Sequence, residues 1–294
     1  MRVLVTETLE KSGIDCLQQG CQVDVRTSLK PAELLAIIPE YDALIVRSAT
    51  EVTAELLAAG QRLRVVGRAG TGVDNIDLDA CTRRRIVVMN APDGNTISTA
   101  EHTFALMLAL ARHIPRADAS MRAGRWDRKQ FTGMQLWGKA LGIIGFGRVG
   151  RAVAERGRAF GMEDIAYDPF VPDRVARHLG LELVPRLDDV LVKADIISLH
   201  ALVTDETRGM INAESIERMK DGVLIVNAAR GALINSADLA AALKSGKIGG
   251  AALDVYDVEP PAAGNPLIGL DNVVHTPHLG ASTNEAQEAV ALQA

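Results

Sequence analysis

Apolar and polar positions alternate along this chain in short blocks. Apolar runs at Arg2–Thr6, Val23–Arg26, Ala43–Val46, Val65–Gly67 and Ile86–Met89 have the length and β-branched content of buried strands. Between them, Leu9–Gln19, Pro31–Ile38 and Thr53–Ala59 carry helical spacing, the second opened by a proline. The alternation resumes with strands at Leu141–Ile144, Ile165–Asp168, Glu182–Val184, Ile196–Leu199, Val223–Asn227, Gly250–Val255 and Val273–Thr276. Helices are predicted there at Val171–Leu179, Ala213–Met219 and Ala237–Ser245. Strands alternating with helices imply parallel sheets covered on both faces. The halves meet at turn residues, Asn90 to Asn95, a candidate hinge. Ser98 and Glu101 have capping-box spacing, and a helix is predicted from there to about Ala119. It is apolar nearly all round between Phe104 and Leu110, so it should be buried on more than one side, a partner subunit being one way to do so.

The centre of the second half is Leu141-Gly-Ile-Ile-Gly145-Phe-Gly147-Arg148-Val149-Gly150. A strand, a glycine turn and a helix start in succession give the G-x-G-x-x-G spacing a mechanism. Gly145 makes the tight turn, Gly147 lets backbone approach a pyrophosphate, and Gly150 permits close helix–strand packing. The helix N-terminus then presents unpaired N–H groups to the phosphates. Asp168 ends the next strand, where an acid binds a ribose hydroxyl and repels a 2′-phosphate, so NAD is expected rather than NADP. The expected fold is α/β with two doubly wound parallel-sheet domains. Residues 94–280 form a Rossmann-type NAD-binding domain, inserted into a smaller flavodoxin-like domain of residues 1–93 and 281–294 that binds substrate.

Bulk composition narrows the partners. The net charge of −5 over 294 residues argues against nucleic acid or an anionic membrane as partner. An anionic substrate therefore needs a local cluster of basic residues. Arg47, after a strand end, and the basic loop with Arg128 and Lys129 are candidates, Arg47 being equally readable as a surface side chain. The three cysteines have no metal-ligand spacing, no metal is expected, and an odd count suits reduced thiols in a cytoplasmic protein. The longest apolar run, Phe104 to Ala111, is far shorter than a membrane span, and Met1 leads directly into a strand rather than a signal peptide.

Chemistry concentrates at predicted strand ends: Asn227-Ala228-Ala229-Arg230-Gly231, Asp254-Val-Tyr-Asp-Val-Glu259-Pro260, and Thr276-Pro-His278-Leu-Gly280. Histidine changes charge near neutral pH. A neighbouring carboxylate favours the charged imidazole. An arginine fork binds a carboxylate through two hydrogen bonds. Together they suit proton transfer at a hydroxyl while a nicotinamide takes a hydride. His200, also at a strand end, ranks second to His278. His102, His113, His178 and His275 are expected to be structural.

With these motifs the chain resembles the D-isomer-specific 2-hydroxyacid dehydrogenases over nearly its whole length. The matching stretches are Leu44–Thr50, Gly67–Asn75, Gly94-Asn95, Trp126–Lys129, Gly142–Gly150, Asn227–Gly231, Leu253–Val255 and Pro277–Thr283. The resemblance implies that His278 is the acid/base, Glu259 its partner and Arg230 the substrate anchor. It implies NAD contacts from Thr71, Gly145, Gly147, Arg148, Val149, Gly150, Asp168, Ala201, Ala228, Ala229, Asp254 and Gly280. Ala69 and Gly70 are implied to hold the substrate carboxylate. The family's phosphoglycerate-oxidising branch implies that Arg47, Arg128 and Lys129 meet a substrate phosphate. The implied reaction is oxidation of 3-phospho-D-glycerate to 3-phosphooxypyruvate, which opens serine synthesis, by a homodimer or homotetramer whose domains close over a small anionic substrate. Reduction of glyoxylate, hydroxypyruvate or another 2-keto acid is the alternative. A dinucleotide-sensing co-repressor is the reading from another class, against which the complete Arg–Glu–His set argues. Two departures from the family pattern are Ala228, often cysteine, and Ala201-Leu-Val, where proline is usual. No C-terminal regulatory domain follows, so feedback by serine is not implied.

Overall fold

A computed structural model describes residues 1–178, 181 and 183–294. The chain divides into two compact units, Met1–Ser98 with Ala281–Ala294, and Thr99–Gly280. Among the described residues, no helix is long and apolar enough to cross a membrane.

The first unit holds five parallel strands, β1 (Arg2–Val5), β2 (Gln22–Val25), β3 (Ala43–Val46), β4 (Val65–Arg68) and β5 (Val87–Asn90). They pair in the order β2-β1-β3-β4-β5, the flavodoxin-like arrangement. Helices α1 (Lys11–Gln18), α2 (Pro31–Ile37), α3 (Ala54–Ala59) and α4 (Leu78–Arg83) connect them. Strand side chains alternate between faces. Val3, Val5, Ala43 and Ile45 therefore build one core, while Leu4, Leu44, Val46 and Val66 build the other. Polar side chains start the helices: Thr53 accepts from the Leu56 N–H at α3, and Asp77 from the Ala80 N–H at α4. The terminal helix Asn284–Gln293 packs here against α1, so closely that a Cβ on Gly13 would lie 2.7 Å from the Ala291 carbonyl oxygen.

α5 (Thr96–Ala111) carries the chain into the second unit, followed by α6 (Ile114–Arg122). Then come β6 (Ala140–Ile144), α7 (Arg148–Ala159), β7 (Glu163–Tyr167), α8 (Asp173–His178), α9 (Leu187–Lys193), β8 (Ile196–Leu199) and α10 (Ala213–Glu217). β9 (Val223–Asn227), α11 (Ser236–Ser245), β10 (Ile248–Leu253) and β11 (Val273–His275) complete the unit. The sheet is parallel throughout, in the order β11-β10-β9-β8-β6-β7. Leu141, Ile143, Val226 and Ala252 face one core, and Ile144, Ile197, Ile225 and Ala251 the other. The order reverses at β6, which puts the switch point, where such sheets take ligands, beyond Ile144.

Several local expectations are corrected. The helix expected to reach Ala119 breaks after Ala111: His113 is left-handed at φ 54°, and a new helix begins at Ile114 with Pro115 in its first turn. Proline lacks the N–H that would continue the ladder, and its ring collides with the carbonyl four residues back. That carbonyl, on Ala111, accepts instead from the Met134 N–H. The Ser98–Glu101 capping box does not form. α5 starts at Thr96, and Ser98 donates back to the Asn95 carbonyl at 3.1 Å. α5 also keeps an exposed edge at Ile97, Glu101 and Ala105; Phe104, Leu106, Met107 and Leu110 are buried, and Leu108 and Ala109 half-buried. The strand expected at Glu182–Val184 is represented by one bridge, Ala166 to Leu183. Leu179, Gly180, Glu182 and the His178 side chain lie outside the described residues.

Candidate active site

The glycine turn is built by exclusion. Gly145 has φ 94°, and a Cβ there would lie 2.5 Å from the Ala201 nitrogen at the end of β8. At Gly150 a Cβ would lie 2.1 Å from the Gly145 carbonyl oxygen. A Cβ on Gly147 would meet nothing within 4 Å. Gly147 is the N-cap of α7, and among the described residues no side-chain hydrogen bond caps it. A helix does not itself bond the N–H groups of its first turn, and here that turn begins at Arg148. The cradle thus offers open space over Gly147, an uncapped N-terminus and backbone donors, which is what a pyrophosphate requires. Asp168 stands beside it. Its Oδ2 accepts from the Phe146 N–H at 2.8 Å and its Oδ1 from the Phe170 N–H at 2.9 Å, tying the acid to the turn. Val149 packs half-buried against the core below, and Arg148 begins the helix.

The ends of β9 and β10 and the segment after β11 bring the catalytic candidates together. Fully buried Asn227 shapes the arginine turn: its amide donates to the Arg230 carbonyl at 2.9 Å and its oxygen accepts from the Ala229 N–H at 3.0 Å. Ala228 is buried between them, and Arg230 bonds the Ala229 carbonyl at 2.6 Å. Gly231 has no room for a side chain, since a Cβ would lie 1.9 Å from the Tyr256 carbonyl carbon. The arginine turn is therefore stacked directly on the segment leading to Glu259.

Glu259 accepts from the Tyr256 N–H at 3.0 Å through Oε1, and its Oε2 lies 2.6 Å from His278 Nδ1. Burial opposes ionisation of Glu259. The His278 and Tyr256 hydrogen bonds and the charges of His278 and Arg230 outweigh it, holding the carboxyl below its usual value. With Nδ1 committed to a carboxylate, Nε2 is the atom left to give or take a proton. His278 is left-handed at φ 56°, and its N–H donates to the Asp254 carbonyl at 2.8 Å.

Asp254, expected to touch a cofactor, is 1% exposed, and its carboxylate is occupied within the protein. Oδ1 accepts from Thr276 and the Leu279 N–H, and Oδ2 from the Gly280 N–H. His102, expected to be structural, joins this group from α5 with Nε2 3.1 Å from Asp254 Oδ1. A lone histidine on an apolar helix was the available signal, but its partner is distant in sequence. His200 has a different character: it bonds Ser198 at 2.8 Å, and burial pulls it down to about 4, so it stays neutral at ordinary pH. His275 bonds the Tyr256 hydroxyl at 2.7 Å, and burial lowers its pKa also.

Arg128 and Lys129 are exposed on a short 3-10 turn of the second unit. Arg47, Ala69, Gly70 and Thr71 belong to the first unit. There the Glu7 carboxylate accepts from the N–H groups of Arg47, Ala49 and Thr50, fixing the loop that carries Arg47. The Ala69 and Gly70 N–H groups already bond the Val46 and Arg68 carbonyls, so these two donors are engaged internally. Thr71 donates its hydroxyl toward Ala91 and Asn95.

Residues 104–280 match the family described as D-isomer specific 2-hydroxyacid dehydrogenase, NAD binding domain. The chain is 52% identical over 288 residues to a D-3-phosphoglycerate dehydrogenase of Archaeoglobus fulgidus, covering 98% of itself and 54% of that protein. It is 50% identical to one of Methanocaldococcus jannaschii, covering 98% of itself and 55% of the relative. The chain thus spans about half the length of these relatives. Among solved structures it is similar to the TT0316 protein of Thermus thermophilus, with TM-score 0.91, 38% identity and coverage of 99% and 94% of the two chains. A glyoxylate reductase from Paecilomyes thermophila gives TM-score 0.91 at 31% identity, with coverage of 99% and 92%.

Proposed function

The chain belongs to the D-isomer specific 2-hydroxyacid dehydrogenases and carries their NAD-binding domain; on that premise we propose that it oxidises 3-phospho-D-glycerate to 3-phosphooxypyruvate. The observation that carries the reading is the His278–Glu259 contact at 2.6 Å, beside the Arg230 turn. The sequence identity to phosphoglycerate dehydrogenases favours this substrate over others of its class.

Bound NAD supplies the hydride acceptor. The His278 Nε2 takes the proton of the C2 hydroxyl as hydride leaves C2, and returns it in the reverse direction. Glu259 orients the ring through Nδ1 and stabilises the imidazolium that forms. Arg230 binds the substrate carboxylate with its planar fork. The N–H groups at the start of α7 would hold the NAD pyrophosphate, and Asp168 would take a ribose hydroxyl. Arg47, Arg128 and Lys129 are assigned to the phosphate end of the substrate. Thr71, Ala201, Ala229 and Gly280 keep the cofactor-facing roles that the resemblance implies. Ala69 and Gly70 are left out as carboxylate donors because their N–H groups are internally bonded. The protein works in the cytoplasm as a homodimer or homotetramer, which light scattering after size exclusion tests.

NADH formation at 340 nm with 3-phospho-D-glycerate, D-glycerate, D-lactate and glycolate tests the reaction, together with NADH consumption on glyoxylate and hydroxypyruvate. The highest kcat/KM on phosphoglycerate supports the proposal. Higher kcat/KM on glyoxylate or hydroxypyruvate replaces it with the reductase reading, and no turnover with any of them points to a binding protein.

A further inference from the structure

Building on that reading, we propose that His102 is a positioning residue: it anchors the Asp254 carboxylate, and through it the backbone that holds His278 against Glu259. Three consecutive N–H groups converge on Asp254. His278 donates to its carbonyl at 2.8 Å, Leu279 to Oδ1 at 2.7 Å and Gly280 to Oδ2 at 2.9 Å. The left-handed conformation of His278 is sparsely populated by residues with a Cβ, so it persists only where the surroundings impose it. Glu259 is anchored separately, by the Tyr256 N–H. The distance between the imidazole and its carboxylate therefore depends on where Asp254 is held.

Thr276 and His102 hold it. The Thr276 hydroxyl donates to Asp254 Oδ1 at 2.6 Å, which leaves its oxygen lone pairs as acceptors. His102 Nε2 lies 3.1 Å from both Asp254 Oδ1 and Thr276 Oγ1. Two acceptors facing one ring nitrogen require that nitrogen to carry the proton. His102 is thus a donor here, in either the Nε2–H tautomer or the imidazolium. The Asp254 side chain is 1% exposed, so losing that donor strips compensation from a buried carboxylate. Burial alone raises the Asp254 pKa; the bonds from His102, Thr276 and Leu279 bring it below the usual range. The helix α5 is in this way coupled to an acid/base loop 174 residues further along at Thr276.

Three substitutions separate the donor from the volume: His102→Gln keeps an N–H at comparable reach, His102→Asn is too short, and His102→Met fills the space without a donor. Amide hydrogen exchange at Leu279 and Gly280 is read beside steady-state kinetics. In the Asn and Met variants the two amides should exchange at least tenfold faster. Their kcat should fall at least tenfold with KM for the hydroxy acid within threefold, and the limb of the kcat/KM pH profile should move. The Gln variant should match the parent in all of these. Parental exchange or parental kcat in His102→Asn overturns the proposal. So does equal damage in Asn and Gln, or exchange that rises across the whole unit together with a lower Tm, the marks of a structural role. If His102→Met fails to fold, the Asn–Gln comparison decides. A parent protein without turnover defeats the proposed reaction, while hydrogen exchange still judges His102.

Discussion

His278 Nδ1 lies 2.6 Å from Glu259 Oε2, so the carboxylate fixes which ring nitrogen is left for chemistry. His278→Ala should lower kcat by about 10²–10⁴-fold, the usual worth of a general base. Glu259→Gln should cost less and displace the pH profile. Steady-state kinetics from pH 5 to 10 checks both, and an unchanged kcat in His278→Ala rejects the assignment. Because the folded pKa of Glu259 lies below its ordinary value of 4.5, the pair's contribution to stability is present above that value. It is lost as pH falls through the folded pKa, and the Gln variant should lack that acid-side loss.

The last two glycines of the nucleotide turn should respond differently to a methyl group. At Gly150 a Cβ would lie 2.1 Å from the Gly145 oxygen, so Gly150→Ala should destabilise the fold by about 1–3 kcal/mol, the usual cost of overpacking. At Gly147 the Cβ meets no protein atom, and φ is −72°, so Gly147→Ala should keep the parental Tm while weakening NADH binding. Calorimetry and fluorescence titration separate the two, and parental NADH affinity in Gly147→Ala would remove the pyrophosphate from this loop.

Asp164 on β7 has both carboxylate oxygens buried, without a hydrogen-bond partner among the described residues. Burial pushes its carboxyl up to about 7, with Arg158 opposing the shift. The folded state therefore binds a proton that the unfolded state has released between its ordinary pKa of 3.8 and about 7. Stability from this group falls as pH rises through that window. Asp164→Asn should gain on the parent in urea denaturation between pH 5 and 8, and a constant gap across that range would contradict the assignment.

Arg128 and Lys129 are exposed cations assigned to a phosphate. Arg128→Ala should raise KM for 3-phospho-D-glycerate about tenfold or more, roughly the worth of a hydrogen bond to a charged group. KM for D-glycerate, which has no phosphate, should change little. Equal changes for both substrates would detach Arg128 from phosphate recognition.

The glycine turn and Asp168, and the candidates Arg230, Glu259 and His278, stood out in the sequence because each lies at or shortly after a predicted strand end. In a parallel sheet those ends share one edge. The helix break at His113–Pro115 was also legible in principle, since proline has a local steric rule. Its neighbour, the apparent capping box at Ser98, misled because Asn95 and Asp93 offered an earlier turn in which Thr96 N–H bonds the Asp93 carbonyl. The roles of Asn227, Tyr256, Glu7 and His102 were not legible. Each works through a backbone N–H, a carbonyl or a carboxylate whose neighbours only the fold supplies.

By itself the sequence determined the elements and their class, because strand alternation, helical spacing and glycine turns are short-range consequences of backbone geometry. It also carried the candidate side chains for the chemistry, Arg230, Glu259 and His278. The tertiary structure alone decided the strand orders, the contact between His278 and Glu259, and the gathering of His102, Thr276 and the 278–280 amides around Asp254. Those depend on long-range packing that puts buried polar groups where each must find a hydrogen-bond partner, and residues 152 positions apart have no local signal by which to announce one another.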